Sequence, residues 1–220
     1  MKTIQLLVAS IALYGGGLFA ATLSTISLPD DGYDVITYNS WKGQSFTLGT
    51  SADIGKLTKS QFQLEIVVAN ISLVARIVGS TPGTGTPDMS DVYTQLTPTN
   101  PNPGSNLQPV LFEEDQTIAS KALAAGATYW LVIGMTAVDN EQSSPAGIVR
   151  WHYAATNGQG SGAPAGWNVG AKTAVSGTGG AAWSASTTTP YLFDVTLVPE
   201  PGLAALLLPA ALLTLRRRRS

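Results

Sequence analysis

Few side chains in this 220-residue chain can do chemistry. It has one histidine, His152, and no cysteine. Disulfides, thiolate zinc sites, cysteine-ligated clusters and cysteine nucleophiles are therefore excluded, and a multi-histidine metal site cannot be built within one chain. A serine hydrolase needs a nucleophile, an imidazole base and an orienting acid. His152 is the only base on offer, and no Gly-x-Ser-x-Gly elbow occurs. In Arg150-Trp151-His152-Tyr153 the two-residue period puts His152 beside Arg150 and opposite Trp151 and Tyr153. That spacing predicts a surface histidine.

Carboxylates and aromatic rings are the remaining candidates. A glycosidase places two carboxylates across a cleft. Glu113, Glu114 and Asp115 are consecutive, so on a strand they alternate between faces and read as a solvated acidic edge. Calcium needs only oxygen ligands, and Asp30-Asp31-Gly32-Tyr33-Asp34 and Asp139-Asn140-Glu141 are the clusters that could offer them. Neither matches the twelve-residue loop with its distant bidentate Glu, and Asp and Asn are also turn formers. The expectation is no metal and no other cofactor. Of five tryptophans, Trp130 lies in a strong strand pattern and is expected in the core. Trp41 and Trp183 stand in polar, Gly/Ser-rich surroundings and are the pair expected to be exposed, where flat rings could stack on sugars.

The elements that must position these residues read as strands. Phe62, Leu64, Ile66 and Val68 alternate with Gln61, Gln63, Glu65 and Val67. The same period runs through Ile71, Leu73, Ala75 and Ile77, through Tyr129, Leu131 and Ile133, and through Tyr191, Phe193, Val195 and Leu197. Shorter candidates lie at 34–38, 45–48, 110–112, 149–154 and 167–170. Only 118–125 hints at a helix, and it is short. Segments 79–87, 97–106, 155–165 and 176–188 are rich in Gly, Pro, Ser, Thr and Asn and are expected to be loops. Many short strands between such turns predict an all-β, antiparallel β-sandwich of jelly-roll type over residues 22–197. That segment carries thirteen acids and seven bases, a net charge of −6. The whole chain has a pI near 5.3, which argues against nucleic acid as a partner.

The two ends read differently. Met1-Lys2, an apolar stretch to Ala21 and small residues at Ala20-Ala21 have the layout of a signal peptide over residues 1–21, and hence of a Sec export substrate; a retained N-terminal anchor is the alternative. At the other end Val198-Pro199-Glu200-Pro201 precedes an uncharged run from Gly202 to Leu215, then Arg216, Arg217, Arg218 and Arg219. As a helix that run would reach roughly 21 Å at ~1.5 Å per residue, short of a ~30 Å hydrocarbon core. It can lodge in a bilayer by thinning it or by letting the arginines snorkel, and the arginines favour a cytoplasmic C-terminus.

The motif, short apolar helix and arginine cluster of residues 198–220 together resemble a PEP-CTERM sorting signal. The resemblance implies a Gram-negative bacterium, recognition by the membrane transpeptidase exosortase, and cleavage near the Pro-Glu-Pro. An ordinary tail anchor is the alternative. A second resemblance covers about residues 33–197. Gln44-Ser45-Phe46-Thr47, the strand from Leu57, the turn Leu123-Ala124-Ala125-Gly126-Ala127-Thr128 leading into Tyr129-Trp130-Leu131-Val132, Gly166-Trp167-Asn168-Val169-Gly170 and Pro190-Tyr191-Leu192-Phe193-Asp194-Val195 resemble the choice-of-anchor R domain. This is a bacterial surface module placed ahead of different anchors, and it brings no activity with it. The expectation is an exported, exosortase-sorted surface or matrix protein without enzymatic activity, tethered to the inner membrane as a precursor. A carbohydrate-binding module for exopolysaccharide is the second reading and a surface hydrolase the third. Tight binding of soluble polysaccharide is not expected from two tryptophans far apart in sequence.

Overall fold

A computed structural model describes residues 21–49, 55–67, 72–99, 106–115, 117–136, 149–156, 158–159 and 163–199. Among them there is no helix and there are twelve strands, every pairing antiparallel. They are β1 (Ala21–Ser24), β2 (Asp30–Ile36), β3 (Trp41–Thr47), β4 (Gly55–Ile66), β5 (Leu73–Ser80) and β6 (Pro87–Pro98). Then follow β7 (Gln108–Glu114), β8 (Thr128–Met135), β9 (Val149–Ala154), β10 (Asn168–Ser176), β11 (Ser184–Thr187) and β12 (Phe193–Pro199).

The strands join in one sheet, in the order β1-β12-β4-β7-β6-β5-β8-β3-β10-β11. β4 is long enough to serve two partners along one edge: β12 from Gly55 to Phe62, then β9 from Leu64 to Ile66. β2 in turn pairs with β9. Inward residues from both arms of this sheet meet in one core. Phe62, Leu64 and Ile66 of β4 are buried as their period predicts, with Phe193, Val195 and Leu197 of β12. Across from them lie Ala75 and Ile77 of β5, Phe46 of β3, and Tyr129, Leu131 and Ile133 of β8. Val68 and Ile71 fall outside the described residues.

Aromatic contacts join the strands of this core. The Phe62 ring meets Phe112 edge-on at 4.7 Å and Trp151 at 5.3 Å between centroids. Trp151 stacks on Tyr191 at 4.2 Å, and its indole N–H donates to the Leu192 carbonyl at 3.0 Å. Such pairs add about 0.5–1.5 kcal/mol each beyond the area they bury.

Three departures from the sequence pattern have local causes. In β4 the inward set changes from Leu57 to Ser60 and Phe62, an odd-to-even switch, because one extra residue is inserted where Thr196 faces Lys59 but Leu197 faces Leu57. In β8 the outward residues Trp130 and Val132 are as buried as the inward ones, since Val78, Ala174, Met89, Val92 and Trp183 cover that face. The turn that delivers β8 needs Gly126, whose φ of 71° is left-handed and whose N–H donates to the Leu48 carbonyl at 3.1 Å. The described part of 118–125 forms no helix; Leu123 bridges instead to Gly55.

Candidate functional site

A recess lies where β2 and β9 on one side face β10 and β11 on the other. Its volume is about 350 Å³. Asp34 of β2, Tyr153 of β9 and Tyr191, just before β12, line one side. Thr173 and Val175 of β10, with Ser186, Thr188 and Thr189 on or after β11, line the other. The hydroxyls are already ordered by their neighbours. Tyr191 donates to Asp34 Oδ2 at 2.5 Å, the Thr173 and Thr188 oxygens are 2.6 Å apart, and Thr188 donates to the Thr189 carbonyl at 3.3 Å. Burial, reinforced by the Asp34 charge, pushes the Tyr191 phenol far above the ordinary tyrosine range, so it stays a donor.

Behind this recess are two buried polar residues of β3. Gln44 accepts the Tyr191 backbone N–H at 3.1 Å and donates to the Gly170 carbonyl at 2.7 Å, tying β12 to the bulged part of β10. Lys42 pairs across the sheet with Ile133 and Val175 and is only 7% exposed. Burial lowers its pKa, and the Asp34 charge offsets part of that shift. Sequence periodicity did not single out Lys42, Gln44 or Tyr191 as site residues. The one available signal was a polar alternate, Lys42-Gly43-Gln44, in a segment otherwise read as turn and strand start.

A second, smaller recess of about 260 Å³ lies on the opposite face. Tyr38, Trp41, Arg76 and Thr178 contribute to it. Trp41, expected to be exposed, is 4% exposed. Its ring lies flat in a slot above Gly134, its indole N–H donates to the Tyr38 carbonyl at 3.0 Å, and the Arg76 guanidinium sits 5.6 Å from its centroid. Trp183 is half-buried against the Trp130 cluster, with its indole N–H on the Gly180 carbonyl at 3.0 Å. Trp41 is thus not the exposed ring that the sequence predicts. Trp130 is in the core as expected.

His152 also departs from expectation. It lies on the outward face with Arg150, but is 7% exposed, with the Asp30, Tyr33 and Glu65 side chains around its ring. Its Nδ1 is 2.9 Å from Asp30 Oδ2, the Tyr33 ring lies 5.5 Å away, and Arg150 Nη1 donates to both oxygens of Glu65 at 3.0 and 2.9 Å. Asp30 and His152 are thus paired as the acid and base of a triad would be, but among the described residues Nε2 is buried without a hydrogen-bond partner, and the charge nearest it is Glu65 at 3.9 Å.

The acid clusters are dispersed. Asp30 turns outward to His152 while Asp34 turns inward to Tyr191, because the β2–β9 register slips between Asp30 and Gly32. Glu114 accepts from the Ser120 hydroxyl, and Asp115 accepts from Thr117 and from Gln95 at 3.0 Å. Among the described residues no group of three His, Asp or Glu side chains converges on a metal position. Asp139-Asn140-Glu141 lies outside the described residues. So do Glu200, Pro201, the run from Gly202 to Leu215 and the four arginines; Val198 and Pro199 end β12. No helix among the described residues is long and apolar enough to cross a membrane. No protein-family model and no curated protein matches the chain.

Proposed function

We propose that the chain is an exported surface or extracellular-matrix protein of a Gram-negative bacterium, sorted by exosortase, whose sheet domain is non-catalytic. The observation that carries this reading is the ordered tail: Val198-Pro199-Glu200-Pro201, a charge-free run too short for an ordinary span, then four arginines. β12, the last strand among the described residues, runs from Phe193 to Pro199 and so takes in the first two residues of that motif. The two arms of the sheet are read as the layers of a β-sandwich of jelly-roll type, in keeping with a surface module carried by a detachable anchor.

The test is in the producing cell. Replacing Pro199, Glu200 and Pro201 together with alanine is expected to leave uncut precursor in the inner membrane, seen as a slower band on immunoblots of that fraction. Unchanged release of the variant would favour a plain tail anchor instead.

A further inference from the structure

The recess between the β2–β9 and β10–β11 walls has a donor and acceptor inventory that selects its ligand. Six of its lining side chains carry hydroxyls, one is a carboxylate and only Val175 is apolar. A hydroxyl offers one hydrogen and two lone pairs. Several of the hydrogens are already used. Tyr191 gives its proton to Asp34, Thr188 gives its proton to the Thr189 carbonyl, and Thr173 then donates to Thr188. The Asp34 carboxylate and the free lone pairs of Thr173 and Thr188 are left as acceptors, while the hydroxyls of Tyr153, Ser186 and Thr189 can donate or accept. A matching ligand must bring several groups that both donate and accept, on a compact frame.

An anion is disfavoured because Asp34 faces it. A metal ion lacks a ligand set, since no three acid or imidazole groups converge here. An extended apolar ligand would leave these hydroxyls and the carboxylate unpaired, at about 1–3 kcal/mol for each buried group. The volume of about 350 Å³ is at the small end of ligand pockets, which run from ~300 to ~1,000 Å³. We infer that this recess is a binding site for one neutral pyranose unit, with Asp34 accepting from adjacent sugar hydroxyls and Thr173 and Thr188 accepting from the opposite side. Tyr191, buried under Trp151, contributes by holding the Asp34 carboxylate in place. With no open aromatic platform a single site is expected to bind its sugar weakly, and many copies on a surface would retain a polymer through avidity. This goes beyond the sorting reading and does not depend on it.

The test uses the full chain in a sugar-free zwitterionic detergent, with saturation-transfer NMR on methyl glycosides of glucose, galactose, mannose and rhamnose, and on glucuronate. Transfer to at least one neutral glycoside is expected, with glucuronate binding more weakly. Asp34→Asn keeps the shape and an acceptor for Tyr191, and is expected to weaken binding by about tenfold or more. Thr188→Val, a change at an exposed position, is expected to weaken it too, and serves if Asp34→Asn fails to fold. Three results would overturn the site: no transfer to any neutral glycoside, equal or tighter binding of glucuronate, or unchanged affinity in Thr188→Val. None of them bears on the processing of the Pro199–Pro201 variant.

Discussion

Lys42 is held on the inward side of β3, paired with Ile133, and pairing places both side chains on the same face. The charged form is disfavoured there by burial, which is the larger effect, and favoured by Asp34, which is the smaller. The net lowering has a definite sign in stability. Between the folded pKa and the unfolded value of about 10.4 the unfolded chain binds more protons, so stability rises with pH across that interval. Below the interval the full penalty of the buried ammonium is present. Lys42→Met keeps the stem and removes the charge, so it is expected to raise the melting temperature at pH 7, with the gain shrinking as pH rises towards 10. A melting series from pH 6 to 10 checks it. A destabilised variant at pH 7 would mean that the attraction to Asp34 outweighs desolvation. The same physics explains why the histidine was misjudged from sequence. The two-residue period places His152 on the face of Arg150, but a face becomes a surface only if nothing crowds it, and the Asp30, Tyr33 and Glu65 side chains surround this ring.

At the scale of elements, the slot between β3 and β8 shows how a backbone position decides a side chain's fate. Trp41 lies over Gly134, and a Cβ at Gly134 would stand 2.0 Å from the Trp41 ring. Gly134→Ala is therefore expected to cost about 1–3 kcal/mol, since overpacking drives the ring off its place. The diagnostic experiment is a double-mutant cycle in denaturant. In a Trp41→Ala background the added methyl should be close to silent, giving a coupling of at least about 1 kcal/mol. Simple additivity would mean that the ring does not occupy the slot. Nothing in the sequence links Trp41 to Gly134, ninety-three residues on. Strands with regular alternation, β4, β5, β8, β9 and β12, were legible because one face must be apolar to join the core. β6 was not, because Asp88, Ser90, Asp91 and Gln95 break its pattern; it forms by pairing with β5 on one side and β7 on the other. β11 is exposed throughout and exists only as a partner of β10, so its segment reads as loop. The recess draws on these less legible parts, with Ser186 on β11 and Asp34 in the ladder that follows the slip between Asp30 and Gly32. It could be assembled only once the pairing was known.

At the scale of the whole molecule, the ends of the domain are joined to each other. β1 pairs with β12 from Ala21 opposite Leu197 to Ser24 opposite Asp194. Leu23 is fully buried, and Thr25 donates its hydroxyl proton to the Tyr191 carbonyl at 2.6 Å while accepting the Phe193 N–H at 2.9 Å. If the chain is exported and sorted as proposed, this arrangement limits how it can be trimmed. Removing Leu23 forfeits about 2–5 kcal/mol of core packing, by comparison with large-to-small core substitutions. Removing Thr25 strands a buried backbone N–H at about 1–3 kcal/mol more. Against a total stability of ~5–15 kcal/mol, losing both would bring the domain close to unfolding. At the other end Leu197, buried against Leu57, must stay as well. The processed protein is therefore expected to begin no later than Thr22 and to extend at least to Leu197. A signal-peptide cut after Ala20 or Ala21 and a sorting cut near the Pro-Glu-Pro both satisfy this. Intact-mass spectrometry of the protein recovered from the cell surface reads both ends at once. A protease-resistant product beginning at Ile26 or later, or ending before Leu197, would show that the domain holds together without this pairing and that the core account of β1 and β12 is wrong.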